Sequence, residues 1–264
     1  MTAFALNHMT VARLSFARLL GLAGDLGLCG VELRNDLPAR LFDGLDPAEA
    51  AGLLAARRLR LLALAEVKRF DDWSPERRTQ AQALMRIARA AGAEAVALIP
   101  RNDAPGMATA EADAALRRAL RDLGPMLEDH GLRGLVEPLG FAACPVRMKA
   151  PVAEAIEALG LSDAVGIVHD TFHHHLSGER AIFARHTMMV HVSGVSATMP
   201  PAAMTDADRG LVDDRDRLGN RDQLAALAAA GYAGPVSFEC FAPGVHGLTD
   251  PAAALARSMA YLGA

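Results

Sequence analysis

The chain is poor in the residues that mark several protein classes. Its three cysteines, Cys29, Cys144 and Cys240, are scattered through 264 residues with no C-x-x-C pair. That spacing excludes a disulfide framework or a zinc knuckle and suits a reducing compartment. No apolar run approaches the ~20 residues needed to span a bilayer. The opening MTAFALNHMT lacks the basic stretch and apolar core of a secretory signal, so a cytoplasmic protein without a membrane partner is expected. A basic excess is missing too: 27 Lys and Arg stand against 31 Asp and Glu, a formal net charge of −4. Nucleic-acid binders usually present a basic face, and the arginine pairs Arg57-Arg58 and Arg117-Arg118 fall in helical stretches as solvated faces. Nucleic acid is therefore not the expected partner. No G-x-G-x-x-G turn follows the first strand-like run, and nothing else suggests an organic cofactor. Linkers and low-complexity stretches are absent, which points to one domain.

What is present is a core and a repeating unit. The composition, 52% apolar and 22% charged, is that of a globular protein. Eight short apolar runs read as strands: FALN (4–7), GVELR (30–34), RLLALAEV (60–67), AVALIP (95–100), GLVEPL (134–139), VGIVHD (165–170), MMVHVSG (188–194) and PVSFECF (235–241). Each precedes a segment of helical periodicity. The segment 74–92 has Ser74 as N-cap, Pro75 at the first helical position and Gly92 as a stop. Segments 46–59 and 250–264 both open with Asp-Pro, and the long segment 109–131 contains Pro125 as a candidate kink. Strands alternating with helices require parallel pairing through right-handed crossovers, and eight such units close into a (β/α)8 TIM barrel. An open doubly wound sheet is the rival. The longest irregular stretch, 194–220, follows the seventh strand on the face where barrel enzymes carry their chemistry.

Four consecutive strands end in a potential metal ligand: Glu137, Asp170, His191 and Glu239. Alternate residues of a strand share a face, so these four, with Leu135, Val168, Met189 and Ser237 two residues before them, can all point inward and converge. Singly, each acid is more often a structural ion pair, and the histidine a satisfied buried one. Together, three carboxylates and an imidazole at one point repel unless a cation neutralises them. The donor set, mostly oxygen with one nitrogen, suits one divalent ion: Mn²⁺, Mg²⁺, Co²⁺ or Zn²⁺. The triple histidine 173–175 is a weaker signal. His173 is placed to meet a substrate or to support the ligands from behind, whereas His174 and His175 are expected to cap the turn or face solvent, and His169 to point outward at the helices. At the mouth of the first four strands lie Asn7, His8, Glu32, Arg34, Glu66, Lys68 and Arg101. Glu32 and then Glu66 are the candidates to face substrate, and the three basic residues could equally form surface ion pairs.

The order E…D-x-x-H…H…E, carried by LVEPLG, VHDTFHHHLSG, VHVSG and VSFECFAP, resembles the xylose isomerase-like barrel superfamily of sugar isomerases, epimerases and endonuclease IV. HDTFHHHLSG followed by HVSG, with GVELRNDLP, resembles its inosose isomerase branch. The resemblance implies one divalent metal on Glu137, Asp170, His191 and Glu239, with Glu137 and Glu239 also forming the acid–base pair. It implies isomerisation or epimerisation of a polyol ketone or ketose, inosose (2-keto-myo-inositol) foremost, through an enediolate. Glu32 lies in the VELR that matches the family's second strand. Relatives carry an arginine before a glycine-rich turn ahead of the seventh helix; here the chain reads DADRGLVDDRDRLGN, so Arg209 or Arg215 is the candidate for that role, with Asp213 as an added polar contact. Barrels of this kind often dimerise, but no residue marks an interface.

Three rival functions differ in what they need. An endonuclease IV-like metallophosphoesterase requires several metals, yet the third and fourth strands end in AEV and LIPR without histidine, and the loop lacks an Asp-x-His pair. A non-enzymatic barrel that binds a sugar or scaffolds a partner would not need all four ligand positions. A dehydratase acting on the same inosose shares fold and metal and differs only in whether a hydroxide leaves.

Overall fold

Local capping sets the helices. Asp46 closes a capping box with Glu49 at the start of α2 (Pro47–Ala56), and the Ser74 hydroxyl accepts from the Arg77 N–H at the start of α3 (Pro75–Ala90). Asp250 does the same for Ala253 in α9 (Pro251–Tyr261). The other helices are α1 (Phe16–Asp25), α4 (Thr109–His130), α5 (Lys149–Leu159), α6 (Thr171–Ser177), α7 (Asn220–Ala229) and the short α8 (Pro243–His246). α4 runs through Pro125 as one helix. No described helix is long and apolar enough to cross a membrane.

In this computed structural model, which describes residues 2–263, the eight strands are β1 (Phe4–Asn7), β2 (Gly30–Arg34), β3 (Arg60–Lys68), β4 (Ala95–Ile99), β5 (Arg133–Val136), β6 (Val165–Asp170), β7 (Thr187–Val192) and β8 (Val236–Phe238). They pair in parallel and in chain order, and β8 closes on β1. The protein is a (β/α)8 TIM barrel. β5 and β8 are shorter than their apolar runs, so Glu137 and Glu239 stand one residue beyond the strands. Each still donates its N–H across the sheet, Glu137 to the Leu98 carbonyl at 3.2 Å and Glu239 to the Val192 carbonyl at 3.0 Å.

Register decides which side chains meet. His191 lies opposite Asp170 on one side and Ser237 on the other. Leu135, Val168 and Met189 pack with Ala5, Leu62, Ala63 and Ala95 as a cluster of their own; period-2 alternation makes this an apolar layer inside the barrel, beneath the polar ends. A larger apolar shell joins strands to helices.

Two glycines fit the loops against the barrel top. The stretch 194–220 is less irregular than its composition implies: it holds 3-10 turns at Pro201–Ala203 and Asp206–Asp208 and is pinned by mutual Gly194–Gly210 bonds of 2.8 and 2.7 Å. A Cβ on Gly194 would lie 2.7 Å from the Leu211 carbonyl oxygen. Gly140, after β5, is tighter still, with a Cβ falling 2.3 Å from the His173 carbonyl oxygen and 2.8 Å from the Leu176 Cβ. Gly140→Ala is expected to cost about 1–3 kcal/mol of unfolding free energy in urea titration, the range for overpacking. A loss below about 0.5 kcal/mol, typical of surface positions, would contradict this contact.

Candidate metal centre

Glu137, Asp170, His191 and Glu239 are all buried and offer ligand atoms within 4.8 Å of one another. Their elements explain the convergence: β6 and β7 deliver Asp170 and His191 in register, and the rim residues after β5 and β8 deliver the glutamates. Asp170 is also the N-cap of α6, its Oδ1 accepting from the backbone N–H of Phe172 at 2.7 Å and of His173 at 3.0 Å. That turns Oδ2, which accepts from Arg209 Nη2, toward the centre.

His191 is the pivot. Its Nε2 donates to Glu32 Oε2 at 3.0 Å, which fixes the tautomer. Its Nδ1 has no hydrogen-bond partner among the described residues, although it lies 3.2 Å from Glu239 Oε2, 3.5 Å from Glu137 Oε1 and 4.0 Å from Asp170 Oδ2. A lone pair surrounded by acidic oxygens is a donor set for a cation. Burial alone would lower the His191 pKa, but Glu32, Glu239 and Glu137 outweigh it and hold it well above the usual value. The point between these residues calls for positive charge, from a proton or from a metal, and the residues present fit a divalent ion.

The two glutamates are held differently. Glu239 Oε1 accepts from Asn7 Nδ2 at 3.1 Å and Arg34 Nη1 at 2.8 Å, and its Oε2 accepts from Arg209 Nη2 at 3.0 Å. Burial raises its pKa, yet His191, Arg209 and Arg34 prevail and keep it well below the carboxylate range. For Glu137, burial and then Glu239 push the pKa up to about 7.

Above the centre opens a cavity of about 350 Å³, bordered by Glu137, Glu239, Arg34, Glu66, His173 and Arg209 among others. Arg209 is 1% exposed and its guanidinium lies between the rings of Phe172 and Phe241, 5.1 and 4.5 Å from their centres. Besides Glu239 it donates to Asp170 Oδ2 at 2.5 Å and to Ser193 Oγ at 3.2 Å. His173 borders the cavity, and burial lowers its pKa to about 4, leaving a neutral ring. Glu66 lies 3.6 Å from Arg34 and 3.8 Å from Lys68.

Several expectations need correction. Glu32 does not border the cavity; it sits behind His191, because its β2 register places it deeper than the rim. Arg215 is 71% exposed, paired with its neighbour Asp213 at 2.5 Å, and both line a different depression. His174 does not cap or face solvent; it is half-buried against Lys149. Arg34 and Arg101 are not surface pairs: Arg34 reaches Glu239, and Arg101 binds Asp71, itself 1% exposed. Sequence reading missed Arg34 as part of the centre; its place two residues after Glu32 on one strand face was the available signal.

A family model described as xylose isomerase-like TIM barrel matches residues 20–264. The chain belongs to the xylose isomerase-like TIM barrel family. Within this family it is 24% identical over 242 residues to an inosose isomerase of Bacillus velezensis, covering 85% of each chain. A xylose isomerase domain-containing protein of Salmonella typhimurium LT2 superposes with a TM-score of 0.91 at 28% identity, covering 99% of this chain and 97% of that one. The IolI protein, solved with a binding zinc atom, superposes with a TM-score of 0.89 at 21% identity, covering 99% and 98%. For this member, Mn²⁺ or Zn²⁺ at about 100 times its Kd should raise the unfolding free energy by about 2.7 kcal/mol. Asp170→Asn should lose most of that gain in thermal unfolding; no gain in the unaltered protein would contradict the donor set.

Proposed function

We propose that the protein is a divalent-metal-dependent isomerase, an intramolecular oxidoreductase acting on a small polyol ketone, with inosose the leading substrate. The observation that carries this reading is the Nδ1 of His191, turned by Glu32 toward three carboxylates, two of which border an open cavity. Glu137, Asp170, His191 and Glu239 would hold the ion, whether manganese, zinc, magnesium or cobalt. The metal would supply an electrophile for a carbonyl oxygen and the adjacent hydroxyl oxygen, and would offset the charge of an enediolate.

Moving a carbonyl to the neighbouring carbon removes one proton and returns one. Glu137 and Glu239 are the pair for that exchange, since both are candidate ligands that border the cavity. Arg209, fixed between two aromatic rings, and His173 border the same space and would orient substrate hydroxyls, as would Glu66 at the rim. Arg34 and Asn7 would hold the Glu239 carboxylate in place. Among the described residues, this is the one group of three or more His, Cys, Asp or Glu suited to a metal, which supports one-metal proton transfer over a multi-metal phosphoesterase. The inosose isomerase relative supports the choice of substrate.

Incubation of metal-loaded protein with inosose in deuterated water tests the reaction by NMR. The expected product is an isomeric ketone carrying solvent deuterium; a dione, formed by loss of water, would replace isomerisation with dehydration. Glu239→Gln should lower kcat by about 10²–10⁴-fold, the usual contribution of acid–base groups, with an unaltered circular dichroism spectrum. Full activity in that variant would remove Glu239 from the pair.

A further inference from the structure

The helix that carries the three histidines is only seven residues long, Thr171–Ser177, and helices this short depend on external ties for their placement. Its first turn carries His173 and donates the Phe172 and His173 N–H groups to Asp170 Oδ1, so the helix orients the Asp170 carboxylate, whose backbone β6 places. The ties come from α5. Glu179, just past the end of α6, accepts the backbone N–H groups of Lys149 and Ala150 at 3.0 Å each, closing an N-terminus that no side chain of the preceding residue caps. Lys149 Nζ donates to His174 Nδ1 at 2.5 Å and lies 3.2 Å from Glu179 Oε2. Arg147 adds bonds to the carbonyls of Gly140, at 2.9 Å, and Leu176, at 3.3 Å.

Lys149 is costly where it stands. It is 3% exposed, and a buried ammonium pays a desolvation penalty that packed apolar side chains avoid. It is also the first residue of α5, the helix end where positive charge is unfavourable. Burial lowers the His174 pKa to about 4, so at neutral pH the imidazole is uncharged and can accept from the ammonium. Lys149, Glu179, His174, Asp170 and His173 all border one small void of about 10 Å³, so this network backs directly onto the candidate metal centre.

We infer that Lys149 is a positioning residue: with Glu179 and His174 it fastens α6 to α5 and so orients the Asp170 carboxylate and sets the place of His173. The inference rests on the metal-site reading above. It separates the triple histidine: His173 borders the cavity, His174 holds Lys149, and His175 is half-exposed in the last turn of α6.

The test is Mn²⁺ binding to metal-stripped protein by titration calorimetry, comparing the unaltered chain with Lys149→Met at a temperature where circular dichroism shows both folded. Loss of an outer tie is expected to weaken Mn²⁺ by about 10–100-fold. Electrostatics alone acts in the opposite sense, since deleting a cation near a cation site should tighten binding. Unchanged or tighter binding in the variant therefore overturns the inference. Failure of the unaltered protein to bind Mn²⁺ would instead overturn the metal-site reading, and this inference with it. If Lys149→Met does not fold, His174→Leu, which keeps the Lys149–Glu179 pair, replaces it; a loss of about tenfold or more is expected, and a smaller loss overturns the inference.

Discussion

The charge of four buried carboxylates at one end of the barrel, Glu32, Glu137, Asp170 and Glu239, is the constraint on which the rest of the structure depends. Two like charges about 4 Å apart repel by roughly 4 kcal/mol at an effective dielectric near 20, so such a group persists only with compensating positive charge. Arg34 and Arg209, both buried, meet part of that demand by donating to Asp170 and Glu239. His191 gives Glu32 a hydrogen-bond donor through Nε2. The space around its Nδ1, bounded by the remaining three acids, is where a divalent ion could complete the balance.

That balance accounts for features far apart in the chain. The 194–220 segment is held by a Gly194–Gly210 bridge, so that Arg209 enters the barrel mouth and is gripped by Phe172 and Phe241. The β5–α5 connection approaches α6 so closely at Gly140 that a Cβ would fall 2.3 Å from the His173 carbonyl oxygen. β2 contributes two residues at different depths, Glu32 behind the imidazole and Arg34 against Glu239. The outcome is an unequal glutamate pair: three side-chain donors hold Glu239, while among the described residues only His191 approaches Glu137 at ion-pair distance.

The barrel was legible because eight apolar runs alternate with capped helical segments, and the four candidate ligands were legible because strand alternation needs no tertiary knowledge. The structure brings all four together. Depth was not legible. Glu32 and Glu66 both precede a basic residue by two positions, yet the first lies beneath His191 and the second borders the cavity. Neither was the choice between Arg209 and Arg215, six residues apart in one charged loop: a glycine bridge and two aromatic rings turn the first inward, while Asp213 takes the second at the surface. Lys149 left no trace, since its partners Glu179 and His174 lie on the far side of another strand in sequence. Likewise the histidine run reads as a cluster in sequence, but a helix of 3.6 residues per turn points its members in different directions.

The most direct measurement is anomalous X-ray scattering from crystals grown with Mn²⁺ or Zn²⁺. One peak per chain is expected, with His191 coordinating through Nδ1 while Nε2 keeps its bond to Glu32, and Glu137, Asp170 and Glu239 supplying oxygens at about 2.0–2.2 Å, the range for carboxylate–zinc bonds. Absence of a peak among these four residues, or coordination of His191 through Nε2, would contradict the account.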